Sequence, residues 1–316
     1  MSTCEMDAPA AIFEPYRGAA IGDLVSRITE ERAELSQTLL GPGVLLFRGW
    51  KVENVGDFMT VVRAFAGEQP LFGYAGGASP RSALGEGSYS STDYPPQVAL
   101  SLHNELSYTD LYPRLLFFAC LQAPASGGET TLGDSRRILR AIDVQVAERF
   151  RKRQVRYFRN LSPFRGGGYS WREAFETDDP DEAEARAIAM GGTVEWRPGE
   201  VLRLSQTRPA TAMHPETGEE VWFNQADGFH PSALDRTSYA EALAFWGSEN
   251  RFRLGVSYGD GGRINLRDLE EVRAAIRTET RPHRWRNGDV LVLDNLLVAH
   301  GRMPFTGPRK IVLAMV

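Results

Sequence analysis

Two apolar strands set far apart in the chain carry the residues that most restrict how it can fold. Val98-Ala-Leu-Ser-Leu-His103 alternates along its length and reads as a strand ending at His103, with Glu105 two positions further on. Residues two apart in an extended chain project to the same side, so an imidazole nitrogen and a carboxylate oxygen can converge on one point. A third donor must come from elsewhere. The best placed is His300, which follows a second apolar strand, Asp289-Val-Leu-Val-Leu-Asp294, and is expected at its end. Bringing His103 next to His300 requires strands from both ends of the chain to pair, which a jelly roll does naturally.

Two histidines and a carboxylate on one face, with open positions opposite, form the donor set of non-haem Fe(II) oxygenases. Alone, the His-x-Glu pair is a weak signal. The chain has 41 acidic residues and five histidines, and it contains a second such triplet, His214-Pro-Glu216. That triplet precedes Thr217-Gly218, a turn signal, and reads as a loop histidine.

Length and charge narrow the class. At 316 residues the chain can bury a sizeable core, and it reads as a single domain spanning 1–316. Its net charge of −5 argues against nucleic-acid binding, which wants a clustered basic face. One basic run stands out, Arg149-Phe-Arg-Lys-Arg-Gln-Val-Arg-Tyr-Phe-Arg159. It reads as a helix end and strand start, or as a docking face for an acidic partner. No apolar run approaches the roughly 20 residues of a membrane span. The first residues lack the basic and apolar regions of a signal peptide, so a cytoplasmic protein is expected. Cys4 and Cys120 are too few for a disulfide framework, and Cys120 is expected to be buried.

Taken in order, residues 21–40 read as one amphipathic helix, 43–49 as a buried strand and 55–66 as a second helix. Residues 73–96 lack a period and read as a long loop forming part of a pocket wall. A strand over 113–121, a turn at 124–128 and a strand from Glu129 follow. Asp134 is placed to cap a helix running to about 150. Residues 153–265 alternate short strands with helices near 181–190 and 237–247, and 163–169 reads as a connector. Asn224-Gln225 offers paired amides where a strand ends. A helix over 266–277, the 289–294 strand and a terminal strand over 307–315 complete the chain. The expected class is mainly β with flanking helices (α+β), on a double-stranded β-helix (jelly-roll) core. The first helices buttress it, and a large insertion at about 135–285 covers the active site.

Several segments together resemble one family: Gly43-Val-Leu-Leu-Phe-Arg-Gly49, Leu102-His-Asn-Glu-Leu-Ser-Tyr108, Gly127-Gly-Glu-Thr-Thr131, Val221-Trp-Phe-Asn-Gln-Ala226, Gly288-Asp-Val-Leu-Val-Leu-Asp-Asn295, Ala299-His-Gly-Arg302 and Pro308-Arg-Lys310. In this order they are similar to the taurine/α-ketoglutarate dioxygenases, Fe(II)- and 2-oxoglutarate-dependent oxygenases. The likeness is greatest to the branch of clavaminate-synthase-like and syringomycin-pathway aspartyl-hydroxylase-like enzymes. The resemblance implies that His103, Glu105 and His300 hold iron, and that Thr130 and Arg309 hold the cosubstrate 2-oxoglutarate beside the second cosubstrate, dioxygen. Arginine's planar fork suits a carboxylate and never loses its charge. Ile311–Met315, after Arg309, holds no second cation, so Arg309 is expected to act with less cationic help.

Related halogenases replace the carboxylate ligand with a small residue, so Glu105 implies hydroxylation, with desaturation or ring closure as alternatives. The branch suggests the β-carbon of an amino acid, free or tethered to an acidic peptidyl carrier protein docked on 149–159. Arg81, Tyr108, Asn224 and Gln225 are the expected substrate contacts. A zinc-dependent jelly-roll enzyme without 2-oxoglutarate is the rival reading, and it would need neither Arg309 nor Thr130.

Overall fold

The computed structural model describes residues 10–15, 20–165 and 170–316. Gly166 to Tyr169 of the expected connector, and Cys4, lie outside the described residues. The architecture is mixed α and β, and two sheets dominate it.

The larger sheet runs, in spatial order, Ala11–Phe13, Val44–Phe47, Val290–Asp294, Leu115–Gln122, Lys310–Met315, Ser88–Ser90 and Ala83–Gly85. Its centre therefore interleaves the two ends of the chain, with Val290 opposite Phe47 and Leu293 opposite Val44. Alternation divides its side chains between two cores. Leu45, Phe47, Phe117, Ala119, Val290, Val292 and Val312 meet the N-terminal helices through Leu24, Ile28, Phe58, Val62 and Phe65. Their neighbours Val44, Leu46, Phe118, Cys120, Leu291, Leu293 and Leu313 face the other way, onto Leu132 and Val298 of the second sheet. A strand buried on both faces has no polar side to show, which explains the unbroken apolar run Val-Leu-Val-Leu before Asp294.

The second sheet runs Arg281–His283, Thr130–Asp134, Val298–Arg302 and Leu100–His103. His300 thus differs from expectation in its setting. It does not end the 290–294 strand; the chain turns after Asp294, and His300 lies within a separate strand of the opposite sheet. The whole segment from Ser135 to Thr280 departs from and returns to one place, because Thr130–Asp134 pairs with Arg281–His283. It carries its own sheet, in the order Thr193–Arg197, Val201–Arg208, Val155–Leu161, Leu254–Tyr258.

Both long helices anticipated from periodicity are divided. The first breaks at Glu31 into Ile21–Glu30 and Arg32–Leu40, each burying its own i, i+4 pair, Leu24/Ile28 and Leu35/Leu39. The second breaks into Ser135–Ala141 and Val144–Arg153, since Asp143 accepts from the amides of Gln145 and Val146 and starts a new helix. Aspartate competes for backbone amides in this way and favours caps over helix interiors. The 73–96 loop contains a small hairpin, Ala83–Gly85 with Ser88–Ser90, turning through Glu86 and Gly87 at positive φ. The terminal strand begins at Lys310 and leaves Arg309 just outside it. Among the described residues, no helix is long and apolar enough to cross a membrane.

His283 is a buried liability of this arrangement. It is 6% exposed, and its Nε2 has no hydrogen-bond partner. Asp289 lies 3.7 Å away but is already held by Arg48, through bonds of 2.9 and 2.7 Å. Burial pushes the His283 pKa down to about 4; Asp289 opposes this and Arg48 adds to it. Between the ordinary value of 6.5 and about 4 the unfolded chain binds a proton that the folded chain does not. Stability must therefore fall as pH drops through that window, by on the order of 3 kcal/mol once below it. Urea midpoints at pH 7 and pH 4.5 should differ less in a His283→Leu variant than in the parent chain. Equal differences would remove His283 as the cause.

Candidate metal centre

The register of the second sheet sets His300 directly opposite His103, and the ladder shifts between His300 and Arg302. The ring centroids are 4.4 Å apart. One ligand atom each from His103, Glu105 and His300 lies within 4.8 Å of the others. His103 donates from Nδ1 to the carbonyl of Ser101 at 2.9 Å, which leaves the Nε2 lone pair free. His300 is buried, its Nδ1 has no partner, and its Nε2 faces Glu105 Oε2 at 3.8 Å. Burial, with His103 and Arg81 adding their repulsion, holds the His300 pKa well below its ordinary value. A neutral, underbonded imidazole beside a buried carboxylate and a second imidazole suits a divalent cation.

The chain around Glu105 is over-determined. Asn295, fully buried, accepts from the Glu105 amide through Oδ1 at 2.7 Å. Its Nδ2 donates to the carbonyls of Glu105 and Pro113 at 3.0 and 2.8 Å. Asn104 donates to the Asn295 carbonyl at 2.6 Å. Leu106, next in line, is fully buried at φ 56, a conformation that costs energy for a branched side chain. The Glu105 carboxylate is met by Arg81 at 2.5 Å, and Arg81 lies over the ring of Tyr74. Burial works against the Arg81 charge, but Glu105 and Tyr74 outweigh it and hold its pKa above the ordinary value.

The cluster opens onto a cavity of about 500 Å³. His103, His300, Thr130, Arg81, Gln225 and Arg309 line it, and so do Ser79, Ser91 and Tyr94 of the expected pocket-wall loop. Thr130 is 4% exposed and accepts from Trp285 Nε1 at 3.0 Å, which leaves its hydroxyl hydrogen for another acceptor. Arg309 donates to the Gly128 carbonyl and to Ser91 Oγ, both at 3.2 Å. Burial holds its pKa down to about 10; Arg302 adds to the shift, while Cys120 and Glu129 oppose it.

Arg302 is the cation that sequence reasoning passed over. It is 4% exposed, lines the same cavity and donates to the carbonyls of Tyr94, Pro95 and Val98. The signal was available, since Arg302 lies two residues after His300 in one strand and shares its side. The cation nearest in function to Arg309 therefore stands in Val298–Arg302 of the second sheet, not among Ile311–Met315. Neither arginine has a carboxylate among its hydrogen-bond partners within the described residues.

The expected substrate contacts separate into two groups. Arg81 and Gln225 line the cavity. Tyr108 and Asn224 lie outside its wall. Tyr108 is 2% exposed and packs on Tyr157 and Phe229. The Asn224 amide is used internally, donating to the Ala210 carbonyl and accepting from the Ala226 amide. The second triplet is structural: His214 Nδ1 accepts from the amides of Glu216 and Thr217, so Nε2 donates to Asp294 at 2.9 Å. In the basic run, Arg149 pairs with Asp268, Arg151 with Glu220 and Glu148, and Arg153 with Asp260. Arg159 is buried and donates to the Gly76 and Gly77 carbonyls.

Comparison with known proteins agrees with this geometry. Residues 9–315 match the model of the taurine catabolism dioxygenase TauD, TfdA family. The dapdiamide synthesis protein DdaC of Enterobacter agglomerans is 35% identical over 284 residues, 89% of this chain and 84% of that one. A clavaminate synthase-like protein of Arabidopsis thaliana is 28% identical over 321 residues, 97% and 93% of the two chains. The structure of PvcB from Pseudomonas aeruginosa matches with a TM-score of 0.55 at 17% identity, over 97% of this chain and 84% of that one. A second PvcB structure is described as an Fe, alpha-ketoglutarate dependent oxygenase from an isonitrile synthetic pathway.

Since Asn295 fixes the Glu105 backbone, Asn295→Ala should weaken Fe(II) or Mn(II) affinity by about 10- to 100-fold, as loss of outer-shell support does elsewhere. His214→Ala should lower the melting temperature and spare metal affinity. Anaerobic metal titration of both variants checks this; equal metal affinities would dismiss the positioning role of Asn295.

Proposed function

We propose that this chain, which belongs to the taurine catabolism dioxygenase TauD, TfdA family, hydroxylates an unactivated C–H bond of a small amino-acid-like substrate, most simply at its β-carbon. It is an Fe(II)- and 2-oxoglutarate-dependent oxygenase, with dioxygen as second cosubstrate. The observation that carries our reading is the His103–Glu105–His300 cluster opening onto a cavity that also presents Arg302 and Arg309 without carboxylate partners. A buried guanidinium without a counter-charge is costly, and a dicarboxylate cosubstrate supplies that charge.

In this reading His103, Glu105 and His300 hold the iron. The bound iron supplies the oxidising chemistry: dioxygen and 2-oxoglutarate are consumed, succinate and carbon dioxide leave, and C–H becomes C–OH. Arg309 grips the far carboxylate of 2-oxoglutarate through its fork. Thr130, its oxygen occupied by Trp285, donates its hydroxyl hydrogen to that carboxylate. Arg302 adds positive potential from the neighbouring strand. Arg81 holds the Glu105 carboxylate in orientation. Glu105 fills the position that halogenases leave free for chloride, which favours hydroxylation over halogenation.

The two large sheets are read as the halves of a double-stranded β-helix. Residues 1–316 form one oxygenase domain in this reading, with about 135–285 as the insertion over the cavity. With Arg149, Arg151 and Arg153 paired to carboxylates and Arg159 buried, the 149–159 run keeps Lys152 and Arg156 exposed, little charge for a carrier protein, so a free small molecule fits better than a carrier-bound one. Lys152→Glu with Arg156→Glu should leave turnover of a free substrate within about twofold, since surface charges act weakly. A selective loss of turnover on a carrier-bound substrate would restore the carrier reading.

The direct test is anaerobic. Fe(II) followed by 2-oxoglutarate should produce a weak visible charge-transfer band. Losing a charge-assisted bond should raise the half-saturation for 2-oxoglutarate by about 10- to 100-fold in Arg309→Ala, and less in Arg302→Ala. A band unaffected in both variants would refute the assigned roles, and no band in the parent chain would favour a zinc-type enzyme that needs neither Thr130 nor Arg309.

A further inference from the structure

The cavity holds one acid that the reaction just described does not use. Asp227, on the short helix Ala226–Phe229, is 6% exposed and lines the cavity. Every cavity arginine is engaged elsewhere. Arg81 is taken by Glu105, Arg302 and Arg309 donate to carbonyls and a hydroxyl, and Arg253 donates to the Ala78 carbonyl and Tyr94 Oη. Arg273, outside the cavity wall, donates to the main-chain carbonyl of Asp227 and to Ser232, not to the carboxylate. Among the described residues no side chain donates a hydrogen bond to the carboxylate. Burial pushes its pKa up, against weaker pulls from Arg273 and His103.

Gln225 adds a second acceptor. Its Nε2 donates to the Asn104 carbonyl at 2.9 Å and to Ser107 Oγ at 3.2 Å. A carbonyl can only accept, so the amide cannot be flipped, and Oε1 is the atom left for the cavity. Two acceptors, one of them anionic and nine-tenths buried, form a site for a hydrogen-bonding cation. A buried carboxylate left unpaired is unfavourable, and a ligand that brings positive charge removes that penalty.

We infer that Asp227, together with Gln225 Oε1, is the subsite that takes a cationic amine of the substrate. This rests on the oxygenase reading above and names its substrate class, an amino acid or conjugate that retains a free, protonated amine. Asp227 and His103 line the same cavity, so an amine anchored at Asp227 keeps the rest of the substrate inside the space onto which the metal ligands open. N-acylated and deaminated analogues lack the charge and are excluded.

The test uses the full chain loaded with Fe(II) and 2-oxoglutarate under nitrogen. The probes are the common L-amino acids, their N-acetyl derivatives and the matching 2-hydroxy acids. Binding is read as a concentration-dependent rise in melting temperature, and turnover as 2-oxoglutarate consumption in air. Free amines should bind, and the two amine-blocked sets should not. Asp227→Asn, which keeps the shape, should raise the half-saturation for the bound amines by about tenfold or more and narrow their advantage over the N-acetyl forms. Asp227→Glu should restore part of that advantage, which a purely structural role would not. The subsite is overturned if N-acetyl or hydroxy forms bind as well as amines, if no amine binds, or if Asp227→Asn preserves the discrimination. Binding of amines without 2-oxoglutarate consumption would support the subsite and sink the hydroxylase reading.

Discussion

One antiparallel pairing governs the molecule. Leu100–His103 lies against Val298–Arg302 with His103 opposite His300, and every functional feature is placed relative to that register. A slip of a single residue would send one imidazole to the far face. The register is protected by the burial of both flanks: Val298–Arg302 is buried throughout, and its other edge is paired to Thr130–Asp134. The same ladder puts Thr130 opposite Arg302, two rungs from His300 and on the same side of the sheet. The chain between Glu105 and Asn295 then only has to hold the third donor, which the buried asparagine does through main-chain bonds.

The electrostatics follow from that placement. Arg81 offsets the Glu105 charge within the protein itself, so the cluster does not depend on a metal to avoid burying a bare carboxylate. Arg302 and Arg309 are left in the opposite condition, donating to neutral oxygens and repelling one another. That unrelieved positive charge costs stability, and under the proposed function a bound dicarboxylate would offset it, a common exchange at sites where function and stability compete.

The sequence was most informative where local chemistry and position coincide. Strand spacing linked His103 to Glu105, a second apolar strand and the resemblance to the family added His300, and the helix over 55–66 appears at its expected bounds. Reading failed where local competition or tertiary choice decided the outcome. Asp143 looks like an ordinary helical residue until it is seen capping its own helix, and periodicity cannot show the break at Glu31. Tyr108 and Asn224 are polar and near the motif, yet packing directs them away from the cavity. Asp227 sits one residue past the matched segment Val221–Ala226, and its place on the cavity wall without a cationic hydrogen-bond donor among the described residues is a property that only three-dimensional placement reveals. Arg302 was legible by the same two-residue rule that linked His103 to Glu105.

The excursion from Ser135 to Thr280 has a consequence for how such a chain can change. It leaves the sheet from Thr130–Asp134 and returns beside it, with His283 in register against Thr130. Its length can therefore vary at a cost that grows only logarithmically, without disturbing the ladder that sets His103 opposite His300. Gln225, Asp227 and Arg253 all belong to it. The substrate contacts proposed at Gln225 and Asp227 can therefore change within one segment while the strands that carry His103 and His300 stay as they are.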